Sequence, residues 1–376
     1  MAPPLSDLQQ LDSAHQLATH ALLSADPNPR VGCVIVDASG RQLGSGHTQP
    51  VGGPHAEVMA LRDAAARGHA VDGATAYVTL EPCSHHGRTG PCCDALIAAG
   101  IRRVVASIAD PNPLVSGQGF DRLRAAGVEV EVGPGATQTR ELNIGFFSRM
   151  VRRTPWVRLK TAASLDGKTA LTNGISQWIT SEAARTDGHA WRARASAVLT
   201  GVGTLMEDDP RLDVRLVETQ RQPHLVVVDS RLQTPPDAQI FDVPHRQIWL
   251  YSAVRDEARA RALEARGATV TVLSNADGKV DLAAMLRDLA AREVNELHVE
   301  AGHKLNGSLM REGLVDEWLV YLAPMFVGDG LEMASAPNAG GPLTSLAGAL
   351  PLEFRAIDRF GPDLRIVARV AGRDRF

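Results

Sequence analysis

Apolar positions along this chain change their period again and again, and each change predicts a new element. In residues 6–24, Leu8, Leu11, Ala14, Leu17, Ala18 and Ala21 recur at helical spacing. Ser6 and Gln9 supply the Ser-x-x-Gln capping box that opens such a helix. His15 and His20 lie on it and read as satisfied or solvated side chains. Asp26-Pro27-Asn28-Pro29 is a rigid turn, and the unbroken apolar run at 31–36 is a strand. A second strand at 43–48 pairs with it as a hairpin. Helices follow at 55–67, 91–99, 117–126 and 137–150, interleaved with strands at 76–80, 104–108 and 128–132.

The polar, basic run 149–154, followed by Pro155, is the boundary. It separates a first domain, 1–150, from a second, 151–376. Beyond it the alternation resumes. Strands are expected at 156–161, 197–200, 224–229, 248–251, 269–273, 297–300 and 317–323, with helices at 182–194, 257–265, 282–292 and 305–312. The tail strands 353–357 and 364–370 suit antiparallel pairing. Such alternation predicts layered α/β architecture in both halves.

Length agrees with this division, since 376 residues exceed one ordinary core. The charge balance, −4 overall with 22% charged residues, gives no sign of a nucleic-acid binder. No run approaches the roughly 18 consecutive apolar residues of a membrane span, and the first ten residues lack a signal-peptide profile. Four cysteines in a chain of this length are no disulfide framework, so reduced thiols and a cytoplasmic enzyme are expected.

Those cysteines carry the chemistry instead. Cys83 closes the strand ending at Leu80, Cys92 opens the helix behind Pro91, and His55-Ala56-Glu57 heads another helix. One imidazole and two thiolates form a tetrahedral zinc set with one position left for water. A His-x-Glu plus Pro-Cys pattern is that of zinc nucleobase deaminases, in which the glutamate shuttles protons and is not a ligand. Here eight residues, 84–91, separate the thiols, where that pattern has two. Cys93 is an alternative to Cys92, although Pro91 favours Cys92. A closed structural zinc knuckle with His85 or His86 as fourth ligand, and a site with no metal, are the competing readings. Cys33 falls inside an apolar strand and reads as core.

The long loop suggests a phosphorylated substrate, because His85, His86, Gly87, Arg88 and Thr89 supply cations and donors. Asn28, fixed between two prolines, is a candidate contact to a ribose or base. In the second half only Gly201-Val-Gly203 hints at a dinucleotide. The full glycine fingerprint fails at Met206, and a plain strand-to-helix turn explains the pair equally well. After the Glu300-Ala-Gly302 turn, Gly302 to Gly307 is a second phosphate candidate.

Taken together, Asp26 to Val36, His55-Ala-Glu57, and Thr79 to Cys92 with its long cysteine spacing resemble the bifunctional riboflavin-biosynthesis deaminase-reductases. The resemblance continues through Lys160 to Ala170, Ser176 to Thr180, Gly201 to Pro210, Val228 to Ser230 and Glu300 to Gly302, and so covers essentially the whole chain. It implies a cytidine-deaminase-like three-layer domain followed by a dihydrofolate-reductase-like α/β domain. It further implies zinc and NADPH as cofactors, a phosphoribosylaminopyrimidine as substrate, and a homo-oligomer.

By motif position, Ala162, Trp178, Thr204, Asp208, Ser230 and Gly302 are expected at NADPH, and Ser176, Arg192, Leu212, Arg215 and Glu300 around the substrate. Glu57 is the expected proton carrier of the deaminase. Lys160 and Asp208 are the catalytic candidates of the reductase, with Glu300 beside them. Ala301 stands where relatives often have glycine. The rival readings are a deaminase whose C-terminal half only binds nucleotide, and a tRNA or nucleobase deaminase.

Overall fold

In the computed structural model, residues 6–85, 90–113, 115–335 and 343–376 are described. The chain divides between Arg152 and Arg153 into two units.

The first unit is built on α1 (Asp7–Thr19), β1 (Gly32–Val36), β2 (Gln42–His47), α2 (Ala56–Ala66), β3 (Thr75–Val78), α3 (Cys92–Ala98) and β4 (Arg103–Ala106), then α4 (Gln118–Ala125), β5 (Glu129–Val132), α5 (Ala136–Leu142) and α6 (Ile144–Arg152). Its sheet has the order β2-β1-β3-β4-β5. The β1 pairings are antiparallel, while β3, β4 and β5 run parallel. β1 is buried along its whole length, as expected for a central strand covered on both faces.

α2 lies so close to β2 that only glycine fits beneath it. A Cβ on Gly44 would stand 2.3 Å from the Ala60 carbonyl oxygen, and one on Gly46 would stand 2.6 Å from the Ala60 amide nitrogen. That close approach fixes where the N-terminus of α2, and with it His55 and Glu57, meets the sheet.

Two helices of this unit differ from the sequence expectation. α1 has its capping box, yet it ends at Thr19 and turns occupy 20–24. The helix expected at 137–150 is two helices, because Asn143 turns its amide to another segment. Its Oδ1 accepts from the Arg30 amide at 2.7 Å, and its Nδ2 donates to the Arg30 carbonyl at 3.0 Å. An asparagine that serves a neighbouring backbone in this way competes with helix continuation. His15 is buried, with Nε2 2.8 Å from Thr139 Oγ1, and His20 is exposed.

The second unit runs β6 (Trp156–Ser164), β7 (Lys168–Leu171), α7 (Glu182–Arg194), β8 (Ala197–Gly201), α8 (Val202–Asp208), β9 (His224–Val228), β10 (Ile248–Ser252), α9 (Glu257–Glu264) and β11 (Ala268–Val272). It closes with α10 (Leu282–Ala291), β12 (Glu296–Val299), α11 (His303–Arg311), β13 (Glu317–Ala323), β14 (Gly330–Glu332), β15 (Leu352–Phe360) and β16 (Asp363–Val370). The main sheet has the order β11-β10-β9-β8-β12-β6-β13-β16-β15. The strands from β11 to β13 pair parallel, and β16 and β15 add antiparallel at one edge. β7 and β14, which the sequence reading lacked, form a separate two-stranded ribbon. They are short strands of four and three residues, too brief for a period to show.

Alternation decides what each face of the central strands carries. Val157, Leu159, Leu297 and Val299 join Met285, Leu286, Leu289 and Leu309 in one apolar core. The intervening positions hold Arg158, Lys160, Glu296, His298 and Glu300, with Arg158 opposite both His298 and Glu317. This polar seam includes a buried ion-pair network. Arg158 lies 2.8 Å from Glu296 and 2.5 Å from Glu317, and Glu317 lies 3.0 Å from Arg369.

Candidate functional site

His55 caps α2 with extended backbone, Cys83 follows β3, and Cys92 is the first residue of α3. These three chain segments bring one imidazole nitrogen and two sulfurs within 4.8 Å of one another. His55 Nδ1 lies 3.4 Å from Cys92 Sγ and 3.6 Å from Cys83 Sγ. A tetrahedral ion with ordinary zinc–sulfur and zinc–nitrogen bonds would separate such a pair by about 3.6 Å. Both imidazole–sulfur distances therefore match a tetrahedral zinc site.

The Cys92 amide donates to Cys83 Sγ at 3.3 Å, as a helix N-terminus does for an anion. The two thiols share one ionisation. Cys83 is drawn down to about 4, first by the Cys92 thiol and then by His55 and the Cys92 amide. Cys92 is pushed up by Cys83, by burial and by Glu57. Glu57 is buried, and burial followed by the Cys83 charge raises its carboxyl to about 7.

Cys93 points elsewhere. Its thiol donates to the Pro82 carbonyl at 3.1 Å and to the Gly119 carbonyl at 3.4 Å. Cys33 is fully buried in β1, in the core role expected of it. His85 is exposed, Asn28 is half-buried in its turn, and Arg88 lies outside the described residues, as does His86.

One residue that sequence reasoning passed over organises the loop. Glu81 is buried, and its carboxylate accepts from the amides of Asp110 (3.0 Å), Gly117 (2.9 Å) and Gly119 (2.8 Å). Arg122 adds a bond to the Ser84 carbonyl and an ion pair to Asp94. Together they tie α4 to the turn that presents Cys83. Glu81 stood in the motif itself, but nothing local distinguishes a carboxylate aimed at distant amides.

In the second unit the turns expected at NADPH sit at the C-terminal ends of adjacent parallel strands. Gly201 ends β8 and Thr204 lies in the first turn of α8 behind it, Ser230 follows β9, and Gly302 follows β12. That edge is where open α/β sheets hold ligands. The nearest neighbour of a Cβ on Gly302 would be Thr204 Oγ1, 4.0 Å away. Ser230 Oγ accepts from the Val280 amide at 3.2 Å. Asp208 is exposed at the end of α8, and Ala162 packs on β6 beside α7. Trp178 is 64% exposed, with the Arg185 guanidinium 4.5 Å from its ring centre.

Of the residues expected around the substrate, Arg192, Leu212, Arg215 and Glu300 come together. Arg192 grips Glu300 with a two-bonded fork of 2.7 and 2.9 Å and also donates to the Asp213 carbonyl. Leu212 is buried, with its carbonyl on Arg246, and Arg215 pairs with Asp213 at 2.7 Å. The Arg215 amide donates to His189 Nδ1 at 3.2 Å, and burial with the Arg192 charge holds that imidazole down to about 4. Ser176 stands apart from this group, half-buried between β7 and α7.

Lys160 Nζ lies 3.8 Å from Glu300. Burial works against ionisation of Glu300, but Arg192 and then Lys160 override it and hold the carboxyl well below its ordinary value. Burial lowers the Lys160 amine in turn. His189 and Asp213 were not foreseen; only their proximity to Arg192 and Arg215 in sequence signalled them.

A His-Cys-Cys cluster beside a buried glutamate, joined to a second α/β unit with paired glycine turns at its strand ends, defines a zinc-dependent deaminase fused to a nucleotide-dependent reductase. Residues 6–108 match the cytidine and deoxycytidylate deaminase zinc-binding region, and residues 155–366 match the RibD C-terminal domain. The chain is 43% identical to riboflavin biosynthesis protein RibD of Escherichia coli, over 96% of this chain and 98% of that protein. Its fold superposes on the Acinetobacter baumannii RibD structure with a TM-score of 0.86 at 37% identity, covering 97% of this chain and 99% of that one. The diaminohydroxyphosphoribosylaminopyrimidine deaminase/5-amino-6-(5-phosphoribosylamino)uracil reductase of Thermotoga maritima gives 0.83 at 30% identity over the same shares. The chain belongs to the RibD family, the bifunctional zinc-dependent deaminases and NADPH-dependent reductases of riboflavin biosynthesis.

Proposed function

We propose that the deaminase step, removal of the 2-amino group of 2,5-diamino-6-(5-phosphoribosylamino)pyrimidin-4-one, is carried by His55, Cys83, Cys92 and Glu57. The observation that supports it most directly is the spacing of the three ligand atoms around a point that a buried carboxyl adjoins. His55 Nδ1 and the two sulfurs would hold zinc, which would supply the Lewis acidity that ionises water near neutral pH. Glu57, buried and raised toward neutrality, accepts a proton from that water and returns it to the departing ammonia. His85 and Arg88, with Asn28, bind the phosphoribosyl end of the substrate.

The reductase step reduces the ribosyl chain to ribityl and gives 5-amino-6-(5-phosphoribitylamino)uracil. NADPH supplies the hydride, and the turns at Thr204, Ser230 and Gly302, with Ala162, Trp178 and Asp208, orient it. Arg192 and Arg215 are the guanidinium candidates for the substrate phosphate, with Ser176 and Leu212 as further substrate contacts. Among Lys160, Asp208 and Glu300, we assign the proton to Lys160. Its amine is half-buried with a lowered pKa, whereas Glu300 is committed to Arg192 and Asp208 lies at the exposed end of α8.

NADPH oxidation by the purified protein with the deaminated intermediate tests the reductase reading, and no oxidation would sink it. The rival reading as a nucleic-acid deaminase requires ammonia release from folded tRNA and none from the phosphoribosylaminopyrimidine.

The homo-oligomer is assigned to β15. This edge strand exposes Leu352, Phe354 and Ile357, and an uncovered apolar edge is a site for pairing with a second copy. A cytoplasmic setting suits the four unpaired cysteines, three of them buried. No helix among the described residues is long and apolar enough to cross a membrane.

A further inference from the structure

His298 is an oddity of the polar seam. It is fully buried in β12, and among the described residues neither ring nitrogen has a hydrogen-bond partner. A buried imidazole without partners is disfavoured unless some other state of the protein satisfies it. Its Nε2 lies 3.6 Å from Glu300 Oε1, beyond hydrogen-bond range. That oxygen already accepts from Arg192 Nε, while Oε2 accepts from Arg192 Nη2 and faces Lys160 Nζ at 3.8 Å. Glu300 directly follows β12, two residues beyond His298, and its carboxylate comes within 3.6 Å of the imidazole on the same side of the sheet.

We propose that His298 is a positioning residue of the reductase reaction, which locks the Glu300 carboxylate against rotation so that Oε2 stays aimed at Lys160. The inference rests on the reading above, in which Lys160 and Glu300 serve the reductase. The arrangement selects a neutral imidazole. Burial, with Arg158, Arg192 and Lys160 nearby, holds it down to about 3. A neutral ring carries one N–H, and the adjacent carboxylate favours its placement on Nε2. Closing about 0.7 Å gives a hydrogen bond, as catalytic contacts tighten when a site fills. Glu300 Oε1 then has two donors, Arg192 Nε and His298 Nε2, and the carboxylate plane is fixed. Lys160 is left to meet Oε2 or the substrate, which its proton-delivering role requires.

The test uses the full-length, zinc-loaded protein, with NADPH oxidation measured on the deaminated substrate and ammonia release measured in parallel. His298→Leu fills similar space without the N–H. It is expected to lower reductase kcat about 10-fold or more, the range typical of partners that orient a functional group. KM for NADPH and substrate should change little, and deaminase turnover should be unchanged. His298→Gln carries an amide donor of similar reach and is expected to recover most of the kcat, whereas His298→Asn, too short, is not. Wild-type kcat in His298→Leu overturns the inference. So does equal kcat in the Gln and Asn variants, which remains readable if the leucine variant fails to fold. Glu300→Gln separates the two levels: wild-type reduction in that variant overturns the reading of the site itself. Loss in Glu300→Gln beside full activity in His298→Leu overturns only the role of His298.

Discussion

At the scale of single residues, Glu57 and the cysteine pair make the sharpest claims. With Glu57 in its proposed role, Glu57→Gln removes a proton carrier and no metal donor, so zinc content should stay stoichiometric while deamination falls about 10²–10⁴-fold. Reduction of the deaminated intermediate should persist; metal analysis beside the two separate assays reads all three. Cys92 and Cys93 are adjacent in sequence and opposite in orientation, one toward His55 and the other donating to backbone carbonyls. Cys92→Ser should deplete zinc, whereas Cys93→Ala should keep it. Zinc lost from both variants alike would remove the distinction. His55, Glu57, Cys83 and the choice between Cys92 and Cys93 were legible as candidates from residue type, because metal chemistry admits few donor types. Glu81, His189 and His298 were not, since their partners are fixed only by chain segments distant in sequence.

At the scale of elements, the Cys83 turn depends on α4 through Glu81. Glu81→Gln keeps the shape but weakens three amide bonds to a charged acceptor. It should reduce zinc affinity about 10–100-fold, as loss of an orienting partner does, and competition with a chelator measures this. β12, β6, β13 and β16 share the buried network of Arg158, Glu296, Glu317 and Arg369. Arg158→Met leaves two buried carboxylates short of a partner and should cost about 3–5 kcal/mol.

The pH dependence of this network has a definite sign. Burial opposes ionisation of Glu317, yet Arg158 and Arg369 bring its carboxyl below the ordinary 4.5. Its contribution is therefore present above pH 4.5 and lost as the pH falls from there through the folded value. Denaturant melts at a series of pH values should show that loss, and Glu317→Gln should flatten it. A slope unchanged in the variant would place the acid sensitivity elsewhere. The elements themselves were mostly legible, since the period of apolar residues marks strand from helix. The exceptions were β7, β14 and the seven-residue α8, too short to show a period, the early end of α1, and the break between α5 and α6, imposed by Asn143 reaching for the backbone of Arg30.

At the scale of the whole molecule, assembly through β15 predicts that Phe354→Lys with Ile357→Lys shifts the protein to monomer in light scattering. An unchanged mass would direct attention to another surface. What the sequence by itself determined was the alternating α/β layering and the family, and it narrowed the candidate metal donors to His55 and Cys83 with Cys92 or Cys93, because periodicity and donor type are local properties of the chain. What only the tertiary structure decided was convergence. It turned Cys93 away from His55 and Cys83 and tied Glu81 to the amides around α4 behind the Cys83 turn. It also gathered Lys160, Arg192, His298 and Glu300 onto one face of a sheet whose opposite face is apolar. The physical reason is strand register. Which side chains of two strands stand together is fixed by hydrogen bonding between segments more than a hundred residues apart, and no local pattern records it.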